Sequence, residues 1–96
     1  MPTFVTLARY TADGARTIAE ARDRYRKFEM AVGEAGGRIV AAYGLLGGYD
    51  MLLVTELPDE KVAAQLLLGA VSRGTVTTET LTALPIEEFY DLASHA

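Results

Sequence analysis

From Thr3 to Tyr10 the side chains alternate with a period of two and are rich in β-formers, which predicts a strand. Phe4, Thr6, Ala8 and Tyr10 share one face; Val5, Leu7 and Arg9 share the other. Neither face is polar throughout, as expected for a sheet covered on both sides. Thr11-Ala12-Asp13-Gly14 then supplies turn residues, with Thr11 or Asp13 as helix N-cap. Beyond it the spacing changes to three and four. Ile18, Ala21, Tyr25, Phe28, Val32 and Ala35 form one stripe, predicting a single amphipathic helix. Glu20 with Arg24 and Asp23 with Lys27 stand four apart in the favourable order on its wet side. Gly36-Gly37 ends the helix, because glycine accepts the left-handed backbone of a helix terminus.

Arg38 to Leu45 and Tyr49 to Leu57 predict two further strands, joined as a hairpin by a short turn at Gly47-Gly48-Tyr49-Asp50. Pro58-Asp59 breaks the second strand and caps a helix from Glu60 to Ser72. Val62, Ala63, Leu66, Leu67 and Ala70 make its stripe, and Leu68 falls on the opposite side as a candidate contact in a higher oligomer. Thr75 to Leu84 predicts a fourth strand, and Pro85 starts a short amphipathic turn or helix in which Ile86, Phe89 and Leu92 or Ala93 can dock. The order is strand, helix, strand, strand, helix, strand, then a tail at 85–96. That is an α+β sandwich of one domain, with two helices on one face of a four-stranded antiparallel sheet.

A single uncovered sheet face should alternate cleanly to polar residues. Here Phe4, Tyr10, Tyr43, Tyr49, Met51, Leu52, Leu53 and Val54 spread over both faces in any register. A homodimer packed through the open face is therefore expected; the competing expectation is that the C-terminal tail covers that face.

Composition narrows the classes of function. The chain has 96 residues, half of them hydrophobic, a net charge of −4 and no cysteine. Disulfides and thiolate metal sites are excluded. Acidity argues against nucleic acid, because the arginines at 16, 22, 24 and 26 are interleaved with Glu20, Asp23 and Glu29. No stretch is long and apolar enough to span a membrane, and no signal peptide is apparent, so a cytoplasmic protein is expected.

Candidate ligand-binding residues are Tyr10, Tyr43, Tyr49 and Asp50. A phenol on an apolar body suits a pocket that orients a small apolar ligand, and Tyr25 could join the set. The competing reading makes Tyr49 a core or interface aromatic and Asp50 an acceptor for backbone amides near Gly47-Gly48. His95 is the one histidine and stands beside the C-terminus; Ser72 and Ser94 lack a nucleophile context. No metal site and no cofactor is expected.

The chain resembles the GYD-domain family, small bacterial proteins of the dimeric α/β-barrel group. The resemblance rests on Pro2-Thr3-Phe4-Val5-Thr6-Leu7, on Tyr10-Thr11-Ala12-Asp13-Gly14 and on Tyr43-Gly44-Leu45-Leu46-Gly47-Gly48-Tyr49-Asp50. It continues through Pro58-Asp59 to Thr77-Thr78-Glu79-Thr80-Leu81, Pro85 and Phe89. It implies a ferredoxin-like protomer and a barrel-like homodimer. Two functions stand open. One is a small-molecule-binding or accessory module without chemistry of its own. The other is a cofactor-independent oxygenase, isomerase or cyclase acting on a small apolar or aromatic substrate, which fold analogy alone motivates.

Overall fold

The computed structural model describes all residues, 1–96. Strand β1 (Thr3–Tyr10) leads into α1 (Ala12–Arg16), a 3₁₀ turn (Ile18–Glu20) and α2 (Ala21–Glu34). Then follow β2 (Arg38–Gly44), β3 (Met51–Glu56), α3 (Glu60–Val71), β4 (Val76–Ala83) and α4 (Ile86–Ala93). The sheet runs β2-β3-β1-β4, every neighbour antiparallel. This is the expected βαββαβ layout.

Register decides which residues face the helices. Phe4 lies between Thr55 and Thr82, Thr6 between Leu53 and Thr80, and Ala8 between Met51 and Thr78. Phe4, Thr6 and Ala8 are all buried. Phe4 joins Val32 of α2, Ala63 of α3 and Leu57 in the core, with Phe28, Ile39 and Leu66 packed against them. Thr6 meets its cost of burial by bonding its hydroxyl to that of Thr80 at 2.9 Å. A bulge between Ile39 and Ala41 shifts the β2 register by one residue.

The predicted first helix is three pieces rather than one. Thr17 leaves helical geometry at φ −110°, ψ 34°, and its hydroxyl donates to the Asp13 carbonyl. Thr11 is the N-cap, accepting from the Gly14 N–H. Its own N–H donates to the Thr75 carbonyl at 3.0 Å and its hydroxyl to the Gly74 carbonyl at 2.6 Å, so α1 is pinned to the start of β4. Gly14 sits in that junction, where a Cβ would lie 2.0 Å from the Thr75 oxygen. Because α1 is anchored there, α2 takes a separate start, and Ile18, expected in the stripe, is exposed. The rest of the stripe faces the core: Ala21, Tyr25, Phe28 and Ala35 are half-buried and Val32 is buried.

The expected Glu20–Arg24 and Asp23–Lys27 pairs do not form. Glu20 belongs to the 3₁₀ turn, which removes the helical four-residue offset. Arg24 instead donates to the Thr17 carbonyl and hydroxyl at 3.2 and 3.1 Å. The ion pairs present are Arg16–Asp13, Arg26–Glu29 and Arg38–Glu56. Gly36 ends α2 at φ +85°, and Asp59 caps α3 by accepting from the Val62 N–H at 2.8 Å.

Two further expectations are corrected. The hairpin is not tight: β2 stops at Gly44 and β3 starts at Met51, leaving a loop over 45–50 closed by the Leu45 N–H on the Asp50 carbonyl at 2.9 Å. And α4 does not dock on its own chain. Every one of its residues is exposed, with Ile86, Phe89 and Leu92 between 54% and 59%. The tail therefore leaves the open sheet face uncovered.

Candidate functional site

The two faces of the sheet carry different chemistry, and the four candidate residues are divided between them. On the open face, side chains from four strands form rows. Tyr43, Leu52, Leu7 and Glu79 make one; Ala41, Val54, Val5 and Leu81 make the next. Val5, Leu7, Leu52 and Val54 remain only half-buried, Leu81 is 49% exposed and Tyr43 63%. One end of this apolar band is closed by the Arg38–Glu56 pair.

The other end is a polar network around Tyr49. Its hydroxyl donates to the Glu79 carboxylate at 2.7 Å. The Arg9 guanidinium lies 4.4 Å from the ring centre, and its Nε donates to the Gly48 carbonyl at 2.6 Å. Together these contacts fold the 45–50 loop down onto the sheet. The Glu79 carboxylate beside it, as hydrogen-bond acceptor and as negative charge, raises the Tyr49 pKa above its ordinary value; Arg9 opposes that shift. The phenol is therefore held protonated, a donor rather than a base.

Asp50 faces back into the backbone. Its carboxylate accepts from the Tyr10 N–H at 2.8 Å, and its N–H donates to the Ala8 carbonyl at 2.8 Å. It serves β1, not amides at Gly47-Gly48. Tyr10 itself is on the helix side.

Between the helices and the sheet lies a cavity of about 80 Å³. Thr6, Ala8 and Thr78 line its sheet side, Tyr25 and Phe28 come from α2, and Leu67 and Ala70 from α3. Tyr10 lines it, but Tyr43, Tyr49 and Asp50 do not. The structure thus sets Tyr10 with Tyr25 in one place and Tyr43 and Tyr49 on the opposite side of the sheet. Glu79 and Arg73, which also lines the cavity, had not stood out in the sequence. For Glu79 a signal exists only once β4 is paired beside β1, which puts it opposite Leu7.

The sequence pattern of the GYD domain matches residues 4–93 of this chain. The chain belongs to the GYD domain family. A relative in Thermus thermophilus, 38% identical over 89 residues, covers 92% of this chain and 94% of its own length; it is described as a glutamine synthetase and cystathionine beta-lyase binding protein. Among solved structures, a hypothetical protein from Pyrococcus horikoshii superposes with a TM-score of 0.58 at 22% identity, over 88% of this chain and 92% of that one. The leucine response regulatory protein of Mycobacterium tuberculosis gives 0.60 at 12% identity, over 88% of this chain and 51% of that one. These two likenesses confirm the ferredoxin-like fold of the GYD domain here. No helix is long and apolar enough to cross a membrane.

Proposed function

We propose that this chain is a homodimeric, cytoplasmic accessory module that docks onto metabolic enzymes and carries out no reaction itself. The observation that carries the reading is the 38% identical relative, described by the enzymes it binds. Those enzymes handle amino acids, so an enzyme of amino-acid metabolism is the partner to test first.

Burial supports the homodimer. Only nine of 96 residues are buried, which leaves the isolated chain a thin core. Covering the remaining area of each half-exposed Val or Leu on the open face gains about 1 kcal/mol. Five such residues, Val5, Leu7, Leu52, Val54 and Leu81, lie together there. A two-fold copy presents the same rows to itself, so apolar band meets apolar band. The exposed apolar residues of α4 are left for the partner copy or for the docked enzyme.

The test is co-purification of the tagged chain with glutamine synthetase and with cystathionine beta-lyase, alongside its mass in solution. Association of either enzyme with a dimer supports the proposal. A monomer at micromolar concentration removes the dimer, and a dimer that binds neither enzyme removes the docking role as stated.

A further inference from the structure

We propose that the cavity between helices and sheet is a binding site for a small organic carboxylate with a short aliphatic tail. This goes beyond the docking role and does not depend on it. The site is apolar inside and cationic at its edge. Phe28, Leu53, Leu67 and Ala70 supply the interior, while Arg24 and Arg73 line the same space. Arg24, Arg73 and Thr75 are shared with an adjoining outer cleft that has no hydrophobic residue in its lining. The cavity and the polar cleft therefore meet at two guanidinium groups.

Neither arginine has a carboxylate partner. The three ion pairs of the chain use Arg16, Arg26 and Arg38. Arg24 is held by neutral acceptors, the Thr17 carbonyl and hydroxyl and, at 3.4 Å, the Gly14 carbonyl. Those bonds fix the half-buried guanidinium in place without neutralising it. Arg73 makes no side-chain hydrogen bond and takes part only through its backbone N–H, on Ala70. Asp13 on the cleft is occupied by Arg16, and Glu20 and Asp23, also there, pair with neither cation. A carboxylate between the two guanidinium groups meets two positive charges that no acidic side chain neutralises, and the unused donors of Arg73.

Size and polarity choose the rest of the ligand. About 80 Å³ corresponds to roughly five to eight water-sized positions, enough for a carboxylate carrying a tail of a few carbons. The phenols of Tyr10 and Tyr25 and the Thr78 hydroxyl also line the cavity without a hydrogen-bond partner in the chain, so an additional amino or oxo group on the ligand has acceptors and donors to hand.

The test uses the full chain with methyl-labelled Met, Leu and Val, titrated with 3-methylbutanoate and, separately, with the uncharged 3-methylbutan-1-ol. Saturable shifts of the Met51, Leu53 and Leu67 methyls by the carboxylate, at least tenfold weaker for the alcohol, are expected. Arg73→Gln should weaken carboxylate binding tenfold or more and leave alcohol binding unchanged. Ala70→Leu, which fills the cavity, should abolish both while the remaining methyl spectrum stays folded. Absence of saturable shifts, equal binding of acid and alcohol, or undiminished binding by Arg73→Gln each overturns the proposal. None of these outcomes bears on whether the chain docks onto an enzyme.

Discussion

The Asp50 carboxylate and the Tyr10 N–H are hydrogen-bonded at 2.8 Å, forty positions apart in sequence. With the Asp50 N–H on the Ala8 carbonyl, the pair continues the β1–β3 ladder beyond its last backbone partners, Ala8 and Met51. A carboxylate here does the work of a strand residue, and it also defines where the 45–50 loop rejoins the sheet.

Asp50→Ala leaves the partly buried Tyr10 N–H without its acceptor, and a loss of about 1–3 kcal/mol is expected. Asp50→Asn keeps an acceptor oxygen and should lose less than half of that. Urea unfolding of the two variants measures the difference; equal losses would show that charge rather than the hydrogen bond holds the loop.

Tyr49 offers a spectroscopic handle. Its raised pKa, caused first by the hydrogen bond to Glu79 and then by that residue's charge, places its titration above the ordinary tyrosine value of about 10. Because the folded-state value is the higher one, the stabilisation is complete below the unfolded pKa and is lost as pH rises through the folded pKa. Tyrosinate absorbance in Glu79→Gln should show one phenol returning to lower pH relative to the parent chain. An unchanged titration curve would remove Glu79 as the cause.

Two glycines give opposite outcomes from one substitution. At Gly14 a Cβ would fall 2.0 Å from the Thr75 carbonyl oxygen and 3.0 Å from its carbon, both backbone atoms that cannot rotate away. Gly14→Ala should cost about 3 kcal/mol or more and detach α1 from the start of β4. At Gly33, inside α2, nothing lies within 4 Å of the added carbon, so Gly33→Ala should gain about 0.5–1 kcal/mol. Thermal unfolding of both proteins tests the pair.

The open face yields the oligomer prediction. Leu7→Glu sets a charge in the middle of the apolar band, next to Leu52 and Glu79. It should convert a dimer to a folded monomer, read by sedimentation velocity together with circular dichroism. Truncation before Pro85 removes the exposed α4 and should weaken self-association only if that helix reaches the partner copy.

Periodicity by itself determined the element order and most of the faces. Alternation in β1, the stripe from Ala21 to Ala35 and the caps at Gly36 and Asp59 are local relations, set by backbone geometry and by neighbours three or four residues away; between Thr11 and Asp13 the structure chose Thr11 as the first cap. The broken first helix was not legible, because its cause lies in Gly74 and Thr75, sixty residues downstream. Pairing β4 beside β1 placed Glu79 under Tyr49, and the same packing set Arg24 and Arg73 at one cavity while sending Tyr43 and Tyr49 to the other side. Which side chains share a site depends on strand order and helix docking, long-range relations that no local period encodes. The Gly-Tyr-Asp segment marks the family in one dimension; in three, its tyrosine and its aspartate hold the loop to two different partners, Glu79 and the backbone of Tyr10.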